Sequence, residues 1–300
     1  MHLIKNIKMI LVTGATGQYG SKTIDHLIKK GANPSGISAL VREVEKAKSL
    51  ADKGIELRVG DYNNFNSLTN AFSGIDKLLL VSSNDKQAIE NRTTQHINVI
   101  NAAKEAQVKH IIYTSFVRKP HFEDSAIAKF QNSHVQTEEA LKESGMNYTI
   151  LQNGIYLEMI PVFTGDKVAE TGSIFFPAQA GKASFVLREE LAEAAAHVLL
   201  TESHENKVYQ LTNTESVTFE EIADAISISL AKKVNYSSPS VDQFETRLRK
   251  FGVPDLYIGM FTMWAMAQAQ GTMDVEANTL QVFLGKKPTS MRQFINRIYG

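Results

Sequence analysis

The chain has 300 residues, and its hydrophobic fraction of 43% and charged fraction of 21% are ordinary for a globular protein that buries a full core. Its 32 basic and 32 acidic residues cancel, so the net charge gives no reason to expect nucleic acid or an anionic membrane as a partner. The sequence has no cysteine, which excludes disulfides, thiolate nucleophiles and zinc–thiolate sites and fits a reducing compartment, so we expect a cytoplasmic protein.

The first half of the chain alternates short β-branched runs with longer amphipathic stretches. We predict strands at residues 9–13, 37–41, 55–59, 77–81, 110–114 and 148–151. Helices separate them, among them residues 44–53, residues 86–106 and one that ends at Gly145. Lys5 and Lys8 break the apolar residues at the start, which predicts a first strand rather than a signal peptide. Six strands joined by helical crossovers predict an α/β fold with a doubly wound parallel sheet of the Rossmann type.

The second half is less regular. We predict a looped segment over residues 161–182, and a helix at 189–200 and a strand at 208–211 that return to the large sheet. Further helices are predicted over 218–230 and 241–251. We therefore expect a Rossmann domain of residues 1–156 joined by 184–213, and a smaller, mostly helical substrate domain of residues 157–183 and 214–300. No apolar run approaches the roughly 20 residues that span a bilayer, so no membrane attachment is expected.

A glycine-rich loop follows the first predicted strand and opens a helix. Its pattern is G-x-x-G-x-x-G: Gly14 permits a tight turn, Gly17 lets the backbone approach a pyrophosphate, and Gly20 lets the helix pack closely. The amino terminus of that helix offers N–H groups and a partial positive charge to phosphates. The residues predicted to bind a dinucleotide here are Gly14, Ala15, Thr16, Gly17, Gln18, Tyr19 and Gly20.

The ends of the next strands indicate which dinucleotide binds. Arg42 ends the second strand and suits a ribose 2′-phosphate, which favours NADP(H) over NAD(H), although the adjacent Glu43 keeps NAD open. Asp61 closes the third strand, where it could accept a hydrogen bond from the adenine amino group. Ser82 and Ser83 follow the fourth strand and are expected beside the cofactor, because ligands bind at the carboxyl ends of parallel strands.

These segments resemble the NmrA-like group of atypical short-chain dehydrogenases, most closely its bacterial NAD(P)H:quinone oxidoreductase and triphenylmethane reductase branch. The resemblance covers almost the whole chain. It rests on VTGATGQYG, ALVRE, VGDYNN, KLLLVSS, VKHIIYTS, YTILQNGIY, GKASFVLREELAEAAA and HENKVYQL. KLLLVSS and YTILQNGIY distinguish this branch, whereas the glycine loop alone would match any extended dehydrogenase.

The proton-transfer pair of ordinary short-chain dehydrogenases, a Tyr with a Lys four residues later, is missing. None of the nine tyrosines has Lys at that spacing, and the equivalent positions in the resemblance are Phe130 and His134. This argues against an epimerase or an alcohol dehydrogenase. The related branch also carries a histidine near His134, which makes it the candidate catalytic residue, to bind the nicotinamide ribose or protonate a product. The alternative is a partly exposed helix histidine.

The fifth and sixth strands end near the expected nicotinamide. Thr114 ends the fifth strand, and the resemblance places a cofactor loop at Asn153 and Gly154 after the sixth. Gln152 stands where relatives commonly have Arg, and Tyr19 replaces a frequent Leu, a change expected at the floor of the cleft.

An apolar wall for an acceptor is predicted from four residues, namely Phe116, Ile155, Tyr156 and Trp264. Trp264 belongs to an apolar run over residues 260–266 that would alternatively be simple core. The histidine spacing gives no metal-binding pattern.

The resulting hypothesis is an NADPH-dependent reductase that passes hydride directly to a flat, electron-poor quinone or dye. The alternative is a non-catalytic NADP(H)-sensing regulator, since the missing tyrosine is what such a sensor would show. A third, disfavoured, is an epimerase-like protein with tightly bound NAD. The oligomeric state stays open.

Overall fold

The computed structural model describes residues 8–83 and 88–300. In these residues the strands are β1 (Ile10–Val12), β2 (Ile37–Val41), β3 (Glu56–Val59), β4 (Lys77–Leu80), β5 (His110–Phe116), β6 (Asn147–Asn153), β7 (Ile155–Tyr156), β8 (Ser173–Phe175), β9 (Phe185–Val186), β10 (Lys207–Leu211) and β11 (Asn235–Ser237). The α-helices are α1 (Gln18–Lys29), α2 (Lys48–Ala51), α3 (Phe65–Phe72), α4 (Ala88–Glu105), α5 (Ala128–Glu143), α6 (Ile160–Thr164), α7 (Val168–Thr171), α8 (Arg188–Leu200), α9 (Phe219–Leu230), α10 (Val241–Lys250), α11 (Asp255–Ala269), α12 (Thr279–Leu284) and α13 (Met291–Tyr299).

Seven strands form one large sheet in the order β10-β6-β5-β4-β1-β2-β3. The five pairings from β3 across to β6 are all parallel. The predicted doubly wound α/β fold is confirmed, and β10 is the strand that was expected to return to this sheet. Because β1, β2, β4 and β5 are buried along their whole length, they read as nearly continuous apolar runs rather than as alternating patterns.

Several predicted elements differ from the structure. The segment over 161–182 was expected to be a loop, but it contains α7 and β8 and most of α6; elements of three to five residues are too short to show a periodicity. The predicted helix over 44–53 is a 3₁₀ turn at Val44–Ala47 followed by α2. β5 runs two residues beyond its predicted end, so Thr114 lies within the strand and Phe116 ends it. The predicted helix start at Lys86 lies outside the described residues.

The chain divides into two compact units. The first comprises residues up to Phe116 together with Asn132–Asn153 and Glu189–Tyr209, and the second comprises Val117–Gln131, Gly154–Arg188 and Gln210–Gly300. The predicted substrate domain of 157–183 and 214–300 lies within the second unit, which also includes residues 117–131, 154–156, 184–188 and 210–213. That these units act as a cofactor domain and a substrate domain stays a prediction.

The core of the second unit contains a group of aromatic rings. Phe163 stacks on Phe176 with ring centroids 5.0 Å apart, and Phe176 lies 4.6 Å from Phe219. Phe219 begins α9, whose amino end is closed by a capping box in which the Thr218 and Glu221 side chains each accept a backbone N–H. Burial of the ring of Phe219 and capping of the preceding residue therefore stabilise the same end of one helix.

In the first unit, the buried side chain of Lys77 ties the amino end of β4 to the end of α8. Its Nζ donates to the carbonyl oxygens of Leu199 at 2.8 Å and of Thr201 at 2.9 Å. Burial lowers the pKa of Lys77. The last carbonyls of a helix have no partner within the helix, and a cation there also interacts favourably with the helix dipole. Lys77 is therefore a structural lysine.

Replacing Lys77 with Met keeps the apolar stem and removes the donor. We expect Lys77→Met to lower the free energy of unfolding by about 2 kcal/mol, because two carbonyls lose a charged donor. Lys48→Met is the matched control: this lysine is exposed and paired with the exposed Glu45, so we expect a change below about 0.5 kcal/mol. Urea unfolding measures both, and equal losses in the two variants would contradict the assignment.

His110 lies opposite Lys77 in the sheet and is buried. Its Nε2 lies 2.8 Å from Thr149 Oγ1, which itself donates to the His204 carbonyl oxygen at 2.7 Å, so Nε2 carries the ring proton. Burial, with a smaller contribution from Lys77, lowers the pKa of His110 to about 4. The folded state therefore holds this ring neutral.

We expect stability to fall as the pH drops from about 6.5 towards 4. The pKa of His110 is lower in the folded state than in the unfolded state, where it is about 6.5. The contribution of the neutral ring to the free energy of unfolding is therefore complete above pH 6.5, and below that pH it falls by about 1.4 kcal/mol per pH unit. Urea unfolding at a series of pH values should show a shallower acid slope in His110→Gln than in the wild type. An unchanged slope would show that another group takes up the proton.

Candidate functional site

The glycine loop after β1 has the backbone shape that its pattern predicts. Gly14 has φ of +57°, and the Gly17 N–H donates to the Gly14 carbonyl oxygen at 2.9 Å. A Cβ on Gly20 would lie 2.4 Å from that same oxygen, so α1 can approach the loop only if this residue is glycine. Gly17 caps α1 without a side-chain hydrogen bond, and the first turn has no acidic residue. The amino end of α1 therefore favours an anion.

Tyr19 has a packing role within this loop. Its ring is buried, and its Oη donates to the Leu191 carbonyl oxygen of α8 at 3.1 Å. The side chain thus joins α1 to α8 within the first unit. That Tyr19 lies at the floor of the cofactor cleft stays a prediction.

Two adjacent charged residues, Arg42 and Glu43, follow β2, and they differ in whether they have a partner. Arg42 is exposed, and across residues 8–83 and 88–300 no carboxylate lies within 4 Å of its guanidinium. Glu43 accepts a hydrogen bond from Lys46 Nζ at 2.7 Å, and this bond lowers the pKa of Glu43. The residue that would suit a free ribose hydroxyl is engaged, and the one that suits a phosphate is available.

Asp61, after β3, is fixed by its own turn. Its Oδ1 accepts from the backbone N of Asn63 at 2.7 Å and from Asn63 Nδ2 at 2.9 Å, and its own N–H donates to Ser67 Oγ at 3.1 Å. In the described part of the chain Oδ2 has no such donor, so this oxygen is placed to accept one from a ligand.

A cycle of hydrogen bonds joins the ends of β1 and β4 to the turn after β3. The Val81 N–H donates to Thr13 Oγ1 at 2.9 Å, and Tyr62 Oη donates to the Val81 carbonyl oxygen at 2.9 Å. Since Tyr62 has one proton, the Thr13 hydroxyl donates to Tyr62 in the close contact between them. Burial raises the pKa of Tyr62, so the phenol stays protonated. Tyr62 lies in the segment VGDYNN that carries the resemblance, but it was not among the residues predicted to form the site.

The residues directly after β4 are held by three side chains from two other elements, β5 and α4. The Ser82 N–H donates to Thr114 Oγ1 at 2.9 Å, and the Ser83 N–H donates to His96 Nε2 at 3.0 Å. The Ser83 carbonyl oxygen accepts from Arg92 Nε at 3.1 Å. Ser83 Oγ is buried and has no partner among the described residues. Arg92 and His96 were missed in the sequence, because nothing local marks a helix residue that bonds to a distant loop.

His134 is buried, so the expectation of a partly exposed helix histidine is wrong. Its Nδ1 lies 2.6 Å from Tyr113 Oη and its Nε2 lies 3.3 Å from Arg92 Nη1. Because Arg only donates, Nε2 accepts, and the ring proton lies on Nδ1 and is donated to Tyr113. That His134 is a catalytic residue stays a prediction. Its contacts with Tyr113 and Arg92 favour a role in positioning these side chains.

At the end of β6, Asn153 Oδ1 is buried without a partner among the described residues. Gln152, where the resemblance led us to expect Arg, donates its amide to the buried carboxylate of Glu138 at 3.2 Å. Gly154 lies in the second unit, where a Cβ would come within 2.8 Å of Val186 Cγ2 and 2.9 Å of the Ser184 carbonyl oxygen. Close packing against β9 is thus enough to require this glycine.

The predicted acceptor wall is divided between the units. Phe116 ends β5 in the first unit, whereas Ile155, Tyr156 and Trp264 lie in the second. Trp264, on α11, is partly exposed, and its ring packs edge-on against Phe130 with centroids 5.3 Å apart. That these residues form one wall stays a prediction.

Two features are absent from residues 8–83 and 88–300. No helix there is long and apolar enough to cross a membrane, and no group of three or more His, Asp and Glu residues is arranged to hold a metal ion.

Comparison with known proteins places this site in a family. The sequence model of the NmrA-like family matches residues 6–295. Quinone oxidoreductase 2 of Escherichia coli is 35% identical over 292 residues, which are 97% of this chain and 99% of that protein. A crystal structure of an NADPH-dependent quinone oxidoreductase from Escherichia coli, complexed with NADPH, has a TM-score of 0.89 at 35% identity and covers 97% of this chain and 100% of its own.

A second crystal structure is also similar. The triphenylmethane reductase of Citrobacter sp., complexed with NADP(H), has a TM-score of 0.88 at 38% identity and covers 96% of this chain and 99% of its own. With a family match over nearly its whole length and relatives of this identity, the chain belongs to the NmrA-like family.

Proposed function

We propose that the chain is an NADPH-dependent reductase that transfers hydride to a quinone or to a cationic, dye-like acceptor. The observation that carries the choice of cofactor is the pair at the end of β2. Arg42 is exposed and without a carboxylate partner in the described residues, while Glu43 is bonded to Lys46. The similar proteins in complex with NADPH and NADP(H) support the same choice.

The predicted cofactor-binding residues of the first unit fit NADPH. The loop of residues 14–20 and the amino end of α1 would hold the diphosphate, Arg42 the 2′-phosphate and Asp61 the adenine. Ser82, Ser83, Thr114 and Asn153 would bind the nicotinamide half. Two of these carry buried polar atoms without a partner in the described chain, Ser83 Oγ and Asn153 Oδ1, and an unsatisfied buried polar atom is unfavourable until a ligand pairs with it. When bound, NADPH supplies the hydride.

The proposed acceptors are those that need no proton from a protein side chain. His134 is neutral, and its one ring proton is bonded to Tyr113. A cationic triphenylmethane dye becomes neutral on accepting hydride and needs no proton. A quinone becomes the hydroquinone anion, which water can protonate afterwards. The protein would orient the acceptor and exclude water, with Phe116, Ile155, Tyr156 and Trp264 proposed as its apolar wall.

The purified chain should oxidise NADPH with saturable kinetics when a quinone or a triphenylmethane dye is added. The measurement is the loss of nicotinamide absorbance over a panel of acceptors, with NADH run in parallel. Turnover that prefers NADPH supports the proposal. Tight NADPH binding with no turnover across the panel would contradict it and favour an NADP(H)-sensing regulator.

Arg42→Ala should raise KM for NADPH by about 10- to 100-fold, because a hydrogen-bonded charge pair with the 2′-phosphate is lost. KM for NADH, which lacks that phosphate, should change less than about twofold. Lys48→Ala serves as the control. Lys48 is also an exposed cation, but it is paired with Glu45, and its loss should leave both KM values unchanged. Equal losses for NADPH and NADH in Arg42→Ala would rule out phosphate recognition by this residue.

A further inference from the structure

Helix α4 holds both backbone polar groups of Ser83. His96 Nε2 accepts the Ser83 N–H at 3.0 Å, and Arg92 Nε donates to the Ser83 carbonyl oxygen at 3.1 Å. Arg92 and His96 are four residues apart, so they lie on the same face of the helix. Two side chains from one helix face therefore fix the peptide groups on both sides of one loop residue.

Arg92 and His96 together form a clamp on Ser83, and helix α5 in turn orients both side chains. Arg92 Nη1 donates to Ser133 Oγ at 3.0 Å and to His134 Nε2 at 3.3 Å. His96 accepts at Nε2, so its proton lies on Nδ1 and is donated to Thr137 Oγ1 at 3.0 Å. Each clamping residue thus has a fixed rotamer, and His96 a fixed tautomer.

The clamp is fully buried. Arg92 is 4% exposed and His96 is not exposed at all. Removing a guanidinium from water is costly, and apolar side chains of similar volume usually fill such space without loss of stability. A buried network of this kind is therefore weakly explained by stability alone, and better explained by a requirement for exact placement of the groups that it holds.

The hydroxyl of the clamped residue points to the reason for this placement. Ser83 Oγ is buried and lacks a partner among the described residues, although both backbone groups of the same residue are paired. The described residues thus satisfy the backbone of Ser83 and leave its hydroxyl without a partner. This pattern is expected of a group kept for a ligand.

We propose that Arg92 and His96 are positioning residues that hold Ser83 so that its hydroxyl binds the nicotinamide half of the cofactor, an inference that rests on the cofactor assignment made above. His134, Ser133 and Thr137 support the clamp from α5. Ser83 is then already ordered when the cofactor arrives, and the binding equilibrium does not include the entropy of ordering this residue.

Two measurements test the clamp, one without cofactor and one with it. The first is hydrogen exchange of the Ser83 amide in the cofactor-free protein. The second is the Kd for NADPH, measured by equilibrium fluorescence titration. The variants are Arg92→Met, which keeps the volume and removes the donors, and Arg92→Lys, which keeps the charge and loses the forked geometry. Ser83→Ala removes only the hydroxyl.

Lys77→Met is the matched control, because Lys77 is a buried cation that donates to two carbonyls at the opposite end of the same strand. We expect both Arg92 variants to speed exchange of the Ser83 amide and to raise the Kd for NADPH by about tenfold, the effect of ordering one residue on binding. Their kcat at saturating NADPH should stay within about twofold of the wild type, since the expected loss is in cofactor binding. Ser83→Ala should raise the Kd and leave the backbone exchange of that residue slow, and Lys77→Met should change neither value.

The outcomes separate the clamp from the proposed function. Unchanged Ser83 exchange in folded Arg92 variants would overturn the clamp, whatever the cofactor does. Faster exchange with an unchanged Kd would overturn its role in cofactor binding. A wild-type protein that does not bind NADPH would overturn the cofactor assignment, and the exchange data would still decide whether the clamp exists. If Arg92→Met fails to fold, Arg92→Lys still tests the clamp, and Ser83→Ala tests the role of the hydroxyl in cofactor binding.

Discussion

The constraint on which the site depends is that β4 is buried along its whole length and that the backbone leaving it is still partly buried, so its peptide groups need partners in the protein. Three successive amides leave this strand, and each donates to a side chain from a different element: Val81 to Thr13, Ser82 to Thr114 and Ser83 to His96. A buried amide without a partner is unfavourable, so these side chains determine the path of the chain. The loop that would line a cofactor is thus shaped by the need to satisfy its own peptide groups.

The same constraint explains which polar groups remain for a ligand. Around the carboxyl ends of the strands the backbone is largely paired, and Tyr62, Thr13 and Val81 close a cycle that leaves none of their hydroxyl protons unused. Ser83 Oγ and Asn153 Oδ1 are among the buried polar atoms that have no partner in the described residues. They lie in the first unit, after β4 and at the end of β6, and β4 pairs with β1, the strand that the glycine loop follows.

The sequence predicted those parts of the fold and site that depend on local backbone geometry. The glycine loop was predictable because Gly14 and Gly20 are required by a turn and by a close contact a few residues apart. Arg42 was predictable because a strand end has a fixed relation to a ligand in this kind of sheet. Arg92 was not, since its partners lie 9, 41 and 42 residues away and only the folded chain brings them together.

His134 shows how a residue identified by resemblance can have a different physical role. Its position on a polar helix suggested a side chain able to reach the solvent or a substrate, but α5 turns this residue inward against Tyr113 and Arg92. An arginine that must donate forces the imidazole to accept at one nitrogen, which commits its proton to the other nitrogen and so to the tyrosine. A side chain held in this way can fix the position of Arg92, and through it the loop after β4. It is poorly placed to give up a proton, and this is why we propose hydride transfer to an acceptor that needs no proton from the protein.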